Sequence, residues 1–169
     1  MLRAYAALRE QGVEHKLVIL GDGKQKRSLE QLAKQLGVEE HVTMPGFVEN
    51  PYPWLRGAAL FVSSSRYEGF CRVIAEALAV GTPVVATDCP SGPAEVLANG
   101  RYGVLVENEN ADALAVGIRT LLCDPERLQT LSDIGPTRAQ VFAADITSGA
   151  FERAILAALS RSDKNSGAV

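Results

Sequence analysis

The sequence predicts an α/β fold with a doubly wound parallel sheet. Short continuous runs of apolar residues alternate with segments in which apolar residues recur at helical spacing. This alternation is typical of parallel sheets with helices on both faces, because a strand buried on both sides reads as a continuous apolar run. In such sheets the ligand lies beyond the carboxyl ends of the strands. The loops that follow strands are therefore expected to converge on one edge, at 21–23, 45–48, 64–70 and 88–92.

Each element has its own signal in the chain. Apolar runs predict strands at 16–20, 42–44, 59–65, 83–87 and 102–106. Helical spacing predicts helices at 2–11, 28–36, about 70–80, from 93 onward, 111–122, 125–142 and 148–159, with a short helix or turn at 51–57. Gly135-Pro136 predicts a break inside the helix at 125–142, because proline removes a helical hydrogen bond. Residues 1–159 are expected to form one domain, and the polar residues 160–169 a disordered tail.

Composition excludes several classes of protein. Hydrophobic residues make up 47% of the 169 residues and charged residues 22%, which is the balance of a folded globular chain. The formal net charge of -3 gives no general attraction to nucleic acid, so no nucleic-acid partner is expected. The three cysteines are widely spaced, which argues against a disulfide framework and fits a reducing cytoplasm. No metal site is predicted, and no apolar stretch approaches the ~20 residues that span a bilayer.

The most informative segment lies around the fourth predicted helix, where two carboxylates are eight residues apart. A buried strand, a loop containing Gly69 and then a helix that begins near Phe70 form the geometry that presents free backbone N–H groups to a phosphate. Glu76 follows Phe70 by six residues, or about 9 Å along the helix axis. That distance suits a carboxylate that accepts hydrogen bonds from a ribose diol. Glu68 lies in the loop on the other side of the phosphate position, so the pair predicts a nucleotide-sugar site.

Other interpretations of these residues stay open. Glu76 on its own could be a helix-surface acid, but its apolar neighbours leave little polar face there, and a carboxylate in that setting needs a partner. Cys71, beside a helix N-terminus, could have a lowered thiol pKa and act as a nucleophile. Cys89 and Cys123 are interpreted as small apolar fillers. Gly21-Asp22-Gly23 is a weak signal, because it lacks the third glycine and later acid of a dinucleotide site.

These residues resemble a known family. The segment from Glu68-Gly69-Phe70 to Glu76, followed by Ala77-Leu78-Ala79-Val80-Gly81-Thr82-Pro83, is similar to the E-x7-E signature of retaining family 4 glycosyltransferases. The similarity includes Gly21-Asp22-Gly23, Pro45-Gly46-Phe47-Val48 and Ser91-Gly92-Pro93-Ala94-Glu95, and it extends to about Leu159. The family has the GT-B fold, with two Rossmann-like domains and an active site between them. The resemblance is to the C-terminal, donor-binding domain.

The resemblance implies a role for each matching residue. Glu68 would be the catalytic residue beside the donor sugar, and the sugar and distal phosphate would be held by Gly69, Phe70, Cys71 and Arg72. Glu76 would bind the ribose, and Val48 would contact the base. The implied donor is a nucleotide-sugar, with a UDP-sugar expected, and the implied hexosyl transfer retains anomeric configuration with no metal or other cofactor. The Cys89 to Pro93 loop resembles that of members that build surface polysaccharides or lipid-linked glycans.

The chain departs from the family pattern at its start. A basic Gly-Arg-x(n)-Lys-Gly segment, the first strand of the domain and the N-terminal acceptor domain all precede the helix that matches 2–11, and none is present in these residues. An isolated sheet and a piece of a longer chain would both open on a helix in this way. The acceptor, a glycan or a lipid-linked glycan, would bind through the missing domain. The chain alone is therefore expected to have little transferase activity, and the full enzyme to work in the cytoplasm or peripherally at the inner face of the membrane.

Two further hypotheses compete with this interpretation. One is a stand-alone nucleotide-sugar-binding module without turnover, which would share the donor site but need no second domain. The other is half of a sugar-nucleotide epimerase, which shares the fold but would need histidine and acid pairs that the sequence does not show. A neighbouring polypeptide that ends in the basic segment would favour the transferase over the binding module.

Overall fold

A computed structural model describes the backbone of residues 1–166 and the side chains of residues 1–149 and 151–157. The strands are β1 (Leu17–Leu20), β2 (Val42–Gly46), β3 (Phe61–Ser63), β4 (Val84–Thr87) and β5 (Val104–Val106). The α-helices are α1 (Leu2–Glu10), α2 (Lys26–Gln35), α3 (Tyr52–Gly57), α4 (Arg72–Ala79), α5 (Pro93–Val96), α6 (Ala111–Leu122), α7 (Pro125–Gln140) and α8 (Ala144–Ser166). A short 3₁₀ helix at Glu39–His41 leads into β2.

The five strands form two parallel ladders. β1 pairs with β2, and β3, β4 and β5 pair in that order. Every pairing is parallel. Within the described residues the two ladders share no strand pairing, so β1 and β3 each keep one unpaired edge. The predicted parallel α/β fold is confirmed, with its sheet divided in two.

Helices cover both faces of β4, which is buried along its whole length. Val85 packs in a cluster with residues of α1 and α6, including Leu8 and Leu114. Val84 and Ala86 point the other way and pack in a cluster with residues of α4 and α5. Successive residues of a strand point to opposite faces, so this division shows helices on both sides. The doubly wound arrangement is therefore confirmed for this ladder.

Helix α1 contacts both ladders. Its Ala4 and Leu8 pack with β4 and α6, whereas Leu2 and Tyr5 pack with residues of β1, β2 and α2. The Tyr5 hydroxyl donates to the backbone oxygens of His15, at 2.8 Å, and His41, at 3.1 Å. These carbonyls precede β1 and β2, so one side chain fixes the starts of both strands of the first ladder.

Several elements differ in their bounds or continuity from those that the sequence predicts. Helix α4 begins at Arg72 because Cys71 adopts a left-handed conformation, with φ 54° and ψ 63°, which a right-handed helix cannot include. The break predicted at Gly135-Pro136 is wrong, since α7 is continuous through Pro136. Gly135 lies against α4 so closely that a Cβ there would be 3.1 Å from the Leu78 carbonyl oxygen, so α7 packs tightly on α4 where the break was predicted.

The last helix, α8, is longer than expected and runs from Ala144 to Ser166. Residues 167–169 of the predicted tail lie outside the described residues, and disorder of the tail stays a prediction. In the part of the chain that the structure describes, no helix combines the length and apolarity needed to cross a membrane.

We expect Tyr5→Phe to lower the free energy of unfolding by about 1 kcal/mol, because two backbone carbonyls lose their shared donor. The measurement is urea denaturation followed by circular dichroism. Tyr52→Phe is the matched control, since Tyr52 is exposed and its hydroxyl has no hydrogen bond within the described residues. Equal stability of the two variants would contradict the role assigned to the Tyr5 hydroxyl.

Candidate functional site

The loop after β3 is anchored by residues from the ends of the neighbouring strands. The buried Thr87, the last residue of β4, donates from its hydroxyl to the Ser65 carbonyl oxygen at 2.6 Å. Asn108, just after β5, donates from its side-chain amide to the Arg66 carbonyl oxygen at 3.1 Å. The exposed ion pair of Arg66 with Glu109, at 3.0 Å, adds little free energy by itself. These contacts fix the backbone immediately before Glu68.

Glu68 is oriented by its own loop and by the loop after β4. The Ser65 hydroxyl donates to one Glu68 carboxylate oxygen at 2.7 Å, and the side chain is half-buried. Gly92 packs beside it: a Cβ there would lie 3.3 Å from the Glu68 Cβ and from the Gly69 carbonyl oxygen. Gly92 also has φ +79°, which favours glycine. The predicted convergence of the loops at 64–70 and 88–92 is confirmed.

The backbone amides of Phe70, Cys71 and Arg72 have no hydrogen-bond partner in the described part of the chain. They precede or begin α4, whose first N–H groups carry partial positive charge. The left-handed conformation of Cys71 ends the loop abruptly at the helix. A run of three unpaired donors at a helix start is suited to an anion.

Glu76 lies in the second turn of α4. Because the helix begins at Arg72, Glu76 is only about 6 Å along the axis from the first helical residue, which corrects the longer distance expected from a start near Phe70. The side chain is half-buried beside the buried Ala77. Its carboxylate has no hydrogen bond or ion pair within the described residues. The structure therefore gives Glu76 no partner among the described residues, and its role in ribose binding stays a prediction.

Val48 belongs to the other ladder. It follows β2 and is half-buried. The Gly21 amide donates to the Gly46 carbonyl oxygen at 2.8 Å, so the loops after β1 and β2 are joined at this end. Among the described residues no hydrogen bond connects either loop with the loop that carries Glu68. The predicted base contact and the predicted carboxylates thus lie on separate ladders.

The structure does not support a nucleophilic Cys71. Its thiol is buried in the core cluster with Ile74, and its sulfur lies 3.8 Å from the Ser63 hydroxyl oxygen. Burial raises the pKa of the Cys71 thiol, the hydrogen bond with Ser63 opposes that effect, and the charge of Glu68 raises the pKa further. Cys89 is a buried filler, as expected, and burial raises its pKa too. Cys123 is exposed, so its interpretation as a filler is wrong.

Three residues that shape the site, Ser65, Thr87 and Asn108, are not among those that the sequence predicts. Thr87 carried a usable signal, because it ends a buried strand and side chains at carboxyl ends face the ligand edge. Asn108 carried none, since its partner lies 42 residues away. The described residues contain no group of three metal-ligating side chains, and the expected metal independence of the reaction stays a prediction.

Comparison with known proteins gives one family. The family model described as "Glycosyl transferases group 1" matches residues 1–138. Over 142 residues the chain is 38% identical to the N-acetylgalactosamine-N,N'-diacetylbacillosaminyl-diphospho-undecaprenol 4-alpha-N-acetylgalactosaminyltransferase of Campylobacter jejuni. This match covers 84% of the chain but only 38% of that relative. The chain therefore spans less than half the length of the curated relative.

Two solved structures show the same fold. HepE of Anabaena, in complex with UDP, is 26% identical with a TM-score of 0.76, over 95% of this chain and 44% of that one. The C-terminal domain of the group 1 protein LpcC from Francisella tularensis has a TM-score of 0.71 over 83% of this chain and 75% of that domain. At 24% identity the second likeness concerns the fold alone. The expected GT-B C-terminal-domain fold is confirmed.

We expect iodoacetamide at pH 8 to modify Cys123 at least about tenfold faster than Cys71 or Cys89, because burial and a raised pKa leave less accessible thiolate at the two buried sites. Mass spectrometry of tryptic peptides over time measures each rate. In 8 M urea, roughly the concentration that unfolds most domains, the three rates should become similar. Modification of Cys71 as fast as Cys123 in the folded protein would restore the nucleophile interpretation.

Proposed function

The chain belongs to the group 1 glycosyltransferase family, and from this premise we propose that it is a donor-binding domain that holds a nucleotide-sugar for transfer. The observation that carries the proposal is the run of unpaired amides of Phe70, Cys71 and Arg72, flanked by Glu68 and Glu76. A nucleotide-sugar has a diphosphate between two diol-bearing rings. Three donors between two carboxylates match that order of groups.

The diphosphate would lie against the start of α4. The three amides supply donors, and the partial charge of the helix terminus favours an anion there. Gly69 precedes them, and nothing lies within 4 Å of the position that its Cβ would take, so the backbone is open to a ligand. The Arg72 side chain is exposed at the same helix start and adds a positive charge.

Glu76 would accept hydrogen bonds from the ribose hydroxyls. A half-buried carboxylate loses solvation, and no group of the described chain compensates it. A ribose diol would supply two donors and remove that cost. The lack of a protein partner supports Glu76 as a ligand-binding group over a surface acid.

Glu68 would contact the transferred sugar. The Ser65 hydroxyl occupies one of its carboxylate oxygens, which leaves acceptor capacity for a sugar hydroxyl. Its place in the loop, before the amides proposed to hold the phosphate, supports a position on the sugar side of the diphosphate. We take retention of anomeric configuration and independence from metal ions from the family resemblance, and both belong to the proposal.

The relatives support a class of donor and a class of acceptor. HepE is in complex with UDP, which supports a UDP-sugar as the donor. The Campylobacter relative is named for a diphospho-undecaprenol acceptor, which supports a lipid-linked or polysaccharide acceptor for the reaction in which this domain takes part.

We expect Glu76→Ala to weaken UDP binding by about 10- to 100-fold, because hydrogen bonds to a charged group are worth about 1.5–3 kcal/mol. Isothermal titration calorimetry with UDP measures the change. Glu10→Ala is the matched control: Glu10 ends α1, near the amino ends of the strands, and is exposed. Unchanged UDP affinity in Glu76→Ala would remove the ribose assignment.

We expect the 169-residue chain to bind UDP but to transfer little sugar by itself, because the described residues supply a donor site and the acceptor groups are expected from a second domain. A glycan-acceptor assay with a radiolabelled UDP-sugar measures transfer. Robust turnover by the purified chain would contradict this division. Binding without turnover even after a complementary acceptor domain is added would favour the stand-alone binding module.

A further inference from the structure

The side chain of Phe70 contacts a residue from the far end of the chain. Phe70 carries the first of the three unpaired amides, and its own side chain is 37% exposed. The ring of Phe142 packs on it in an edge-to-face arrangement, with the ring centres 5.1 Å apart and the planes at 69°. Phe142 follows α7, in the short turn before α8. Because edge-to-face pairs are attractive and directional, this contact limits the positions that the Phe70 ring can take.

Arg138, one helical turn before Phe142, packs against the same ring. The central carbon of its guanidinium lies 4.7 Å from the centre of the Phe142 ring and 5.7 Å from the centre of the Tyr102 ring. Both distances are within the range of cation–π attraction, and a planar guanidinium stacks well on an aromatic face. Phe142 is therefore in contact with Arg138 as well as with Phe70.

Arg138 also holds the helix that follows the loop after β4. Its Nε donates to the Val96 carbonyl oxygen at 2.9 Å, and its Nη2 donates to the Glu95 carbonyl oxygen at 2.6 Å. Both carbonyls lie at the end of α5, which begins directly after Gly92. A Cβ on Gly92 would lie 3.3 Å from the Phe70 carbonyl carbon. Arg138 thus supports the loop that carries Phe70 by two routes, one through Phe142 and one through α5.

These contacts distinguish Arg138 from a residue that binds phosphate. Two of its nitrogens already donate to backbone oxygens, and its guanidinium lies over two aromatic rings. A cation that binds phosphate presents these same donors to the ligand. The arrangement is therefore suited to support of a neighbouring loop.

From these contacts we propose that Phe142 and Arg138 are positioning residues for the diphosphate of the donor. The inference rests on the proposed donor function and adds two residues that do not touch the ligand. Phe142 keeps Phe70, and with it the run of free amides, in the orientation that suits an anion. Arg138 keeps Phe142 and α5 in place. Without these contacts the amides would adopt several orientations, so more of the free energy of binding would be used to order them.

The UDP affinity of Phe142→Leu, measured by isothermal titration calorimetry, tests the inference. We expect a loss of about three- to tenfold, in line with the strength of one aromatic pair, because leucine offers no ring to Phe70. Phe142→Tyr keeps the ring and should bind UDP as the wild type does. Phe151→Leu is the matched control, since Phe151 is 70% exposed on α8, and its UDP affinity should be unchanged. Equal affinity in Phe142→Leu and the wild type would overturn the inference.

A double-mutant cycle separates positioning through Phe70 from a general loss of packing. If Phe142 acts through Phe70, Phe142→Leu should cost no further UDP affinity in a Phe70→Leu background, whereas additive losses would contradict that route. Leu128→Ala is the structural comparison, because Leu128 is on α7 but packs with the cluster on the other face of β4. It should lower stability in urea and leave UDP affinity unchanged. A loss of affinity as large as that of Phe142→Leu would overturn the inference.

Arg138→Lys separates support of the loop from attraction by charge. Lysine keeps the positive charge but has neither the planar face nor the fork that reaches two carbonyls. We therefore expect Arg138→Lys to lose about as much UDP affinity as Arg138→Met. Full affinity in Arg138→Lys would remove the positioning role, and a loss confined to Arg138→Met would assign Arg138 an attraction of charge instead.

Backbone NMR of the ligand-free protein distinguishes failure of this inference from failure of the donor function. We expect the order parameters of the Phe70, Cys71 and Arg72 amides to fall in Phe142→Leu and to be unchanged in Phe142→Tyr. If the wild type does not bind UDP but these order parameters fall, the donor function is removed and the positioning of the amides stands. If UDP binds in a Glu76-dependent way but Phe142→Leu changes neither affinity nor order parameters, this inference alone is removed. Absence of UDP binding with unchanged order parameters would remove both.

Discussion

The two-sided packing of α1 is the constraint on which the rest of the structure depends. No strand pairing joins the two ladders within the described residues, and α1 packs against both of them. Leu8 is buried against the β4 cluster and Tyr5 against the β1 cluster. Each such side chain contributes about 1.5–3 kcal/mol through removal from water. Loss of either contact would weaken the link between the ladders while leaving the pairing inside each ladder in place.

Within the second ladder, one strained residue defines the candidate anion site. A left-handed conformation costs a non-glycine residue about 1–2 kcal/mol, and Cys71 accepts it with its thiol packed in the core. The strain persists because the preceding loop is fixed from two sides, by Thr87 and by Asn108. The abrupt start of α4 at Arg72 follows from that conformation, and so do the unpaired amides. At position 71 backbone geometry therefore takes precedence over the residue's own conformational preference.

The sequence predicts an element well where the apolar pattern within that element is continuous or regular. The apolar run of β4 and the amphipathic pattern of α6 agree with the structure to within a residue or so. The predicted break at Gly135-Pro136 is wrong. The Gly-Pro pair is a local signal, and it contains no information about the close packing of Gly135 on α4. The pair Glu68 and Glu76 could be found from spacing and resemblance. The contacts that orient Glu68 could not all be found, since the anchor from Asn108 crosses 42 residues of sequence and follows from topology alone.

The proposed donor site is divided between the ladders in the same way as the fold. The carboxylates and free amides lie on the β3–β4–β5 ladder, and Val48, the proposed base contact, follows β2 of the β1–β2 ladder. A nucleotide bound to both would add a second connection to the one that α1 provides. Such a ligand binds only the state in which the ladders keep their relative position, so its free energy of binding also stabilises that position. The packing of α1 and the occupancy of the site would then depend on each other. A loosened α1 would lower the affinity for a ligand that must contact both ladders.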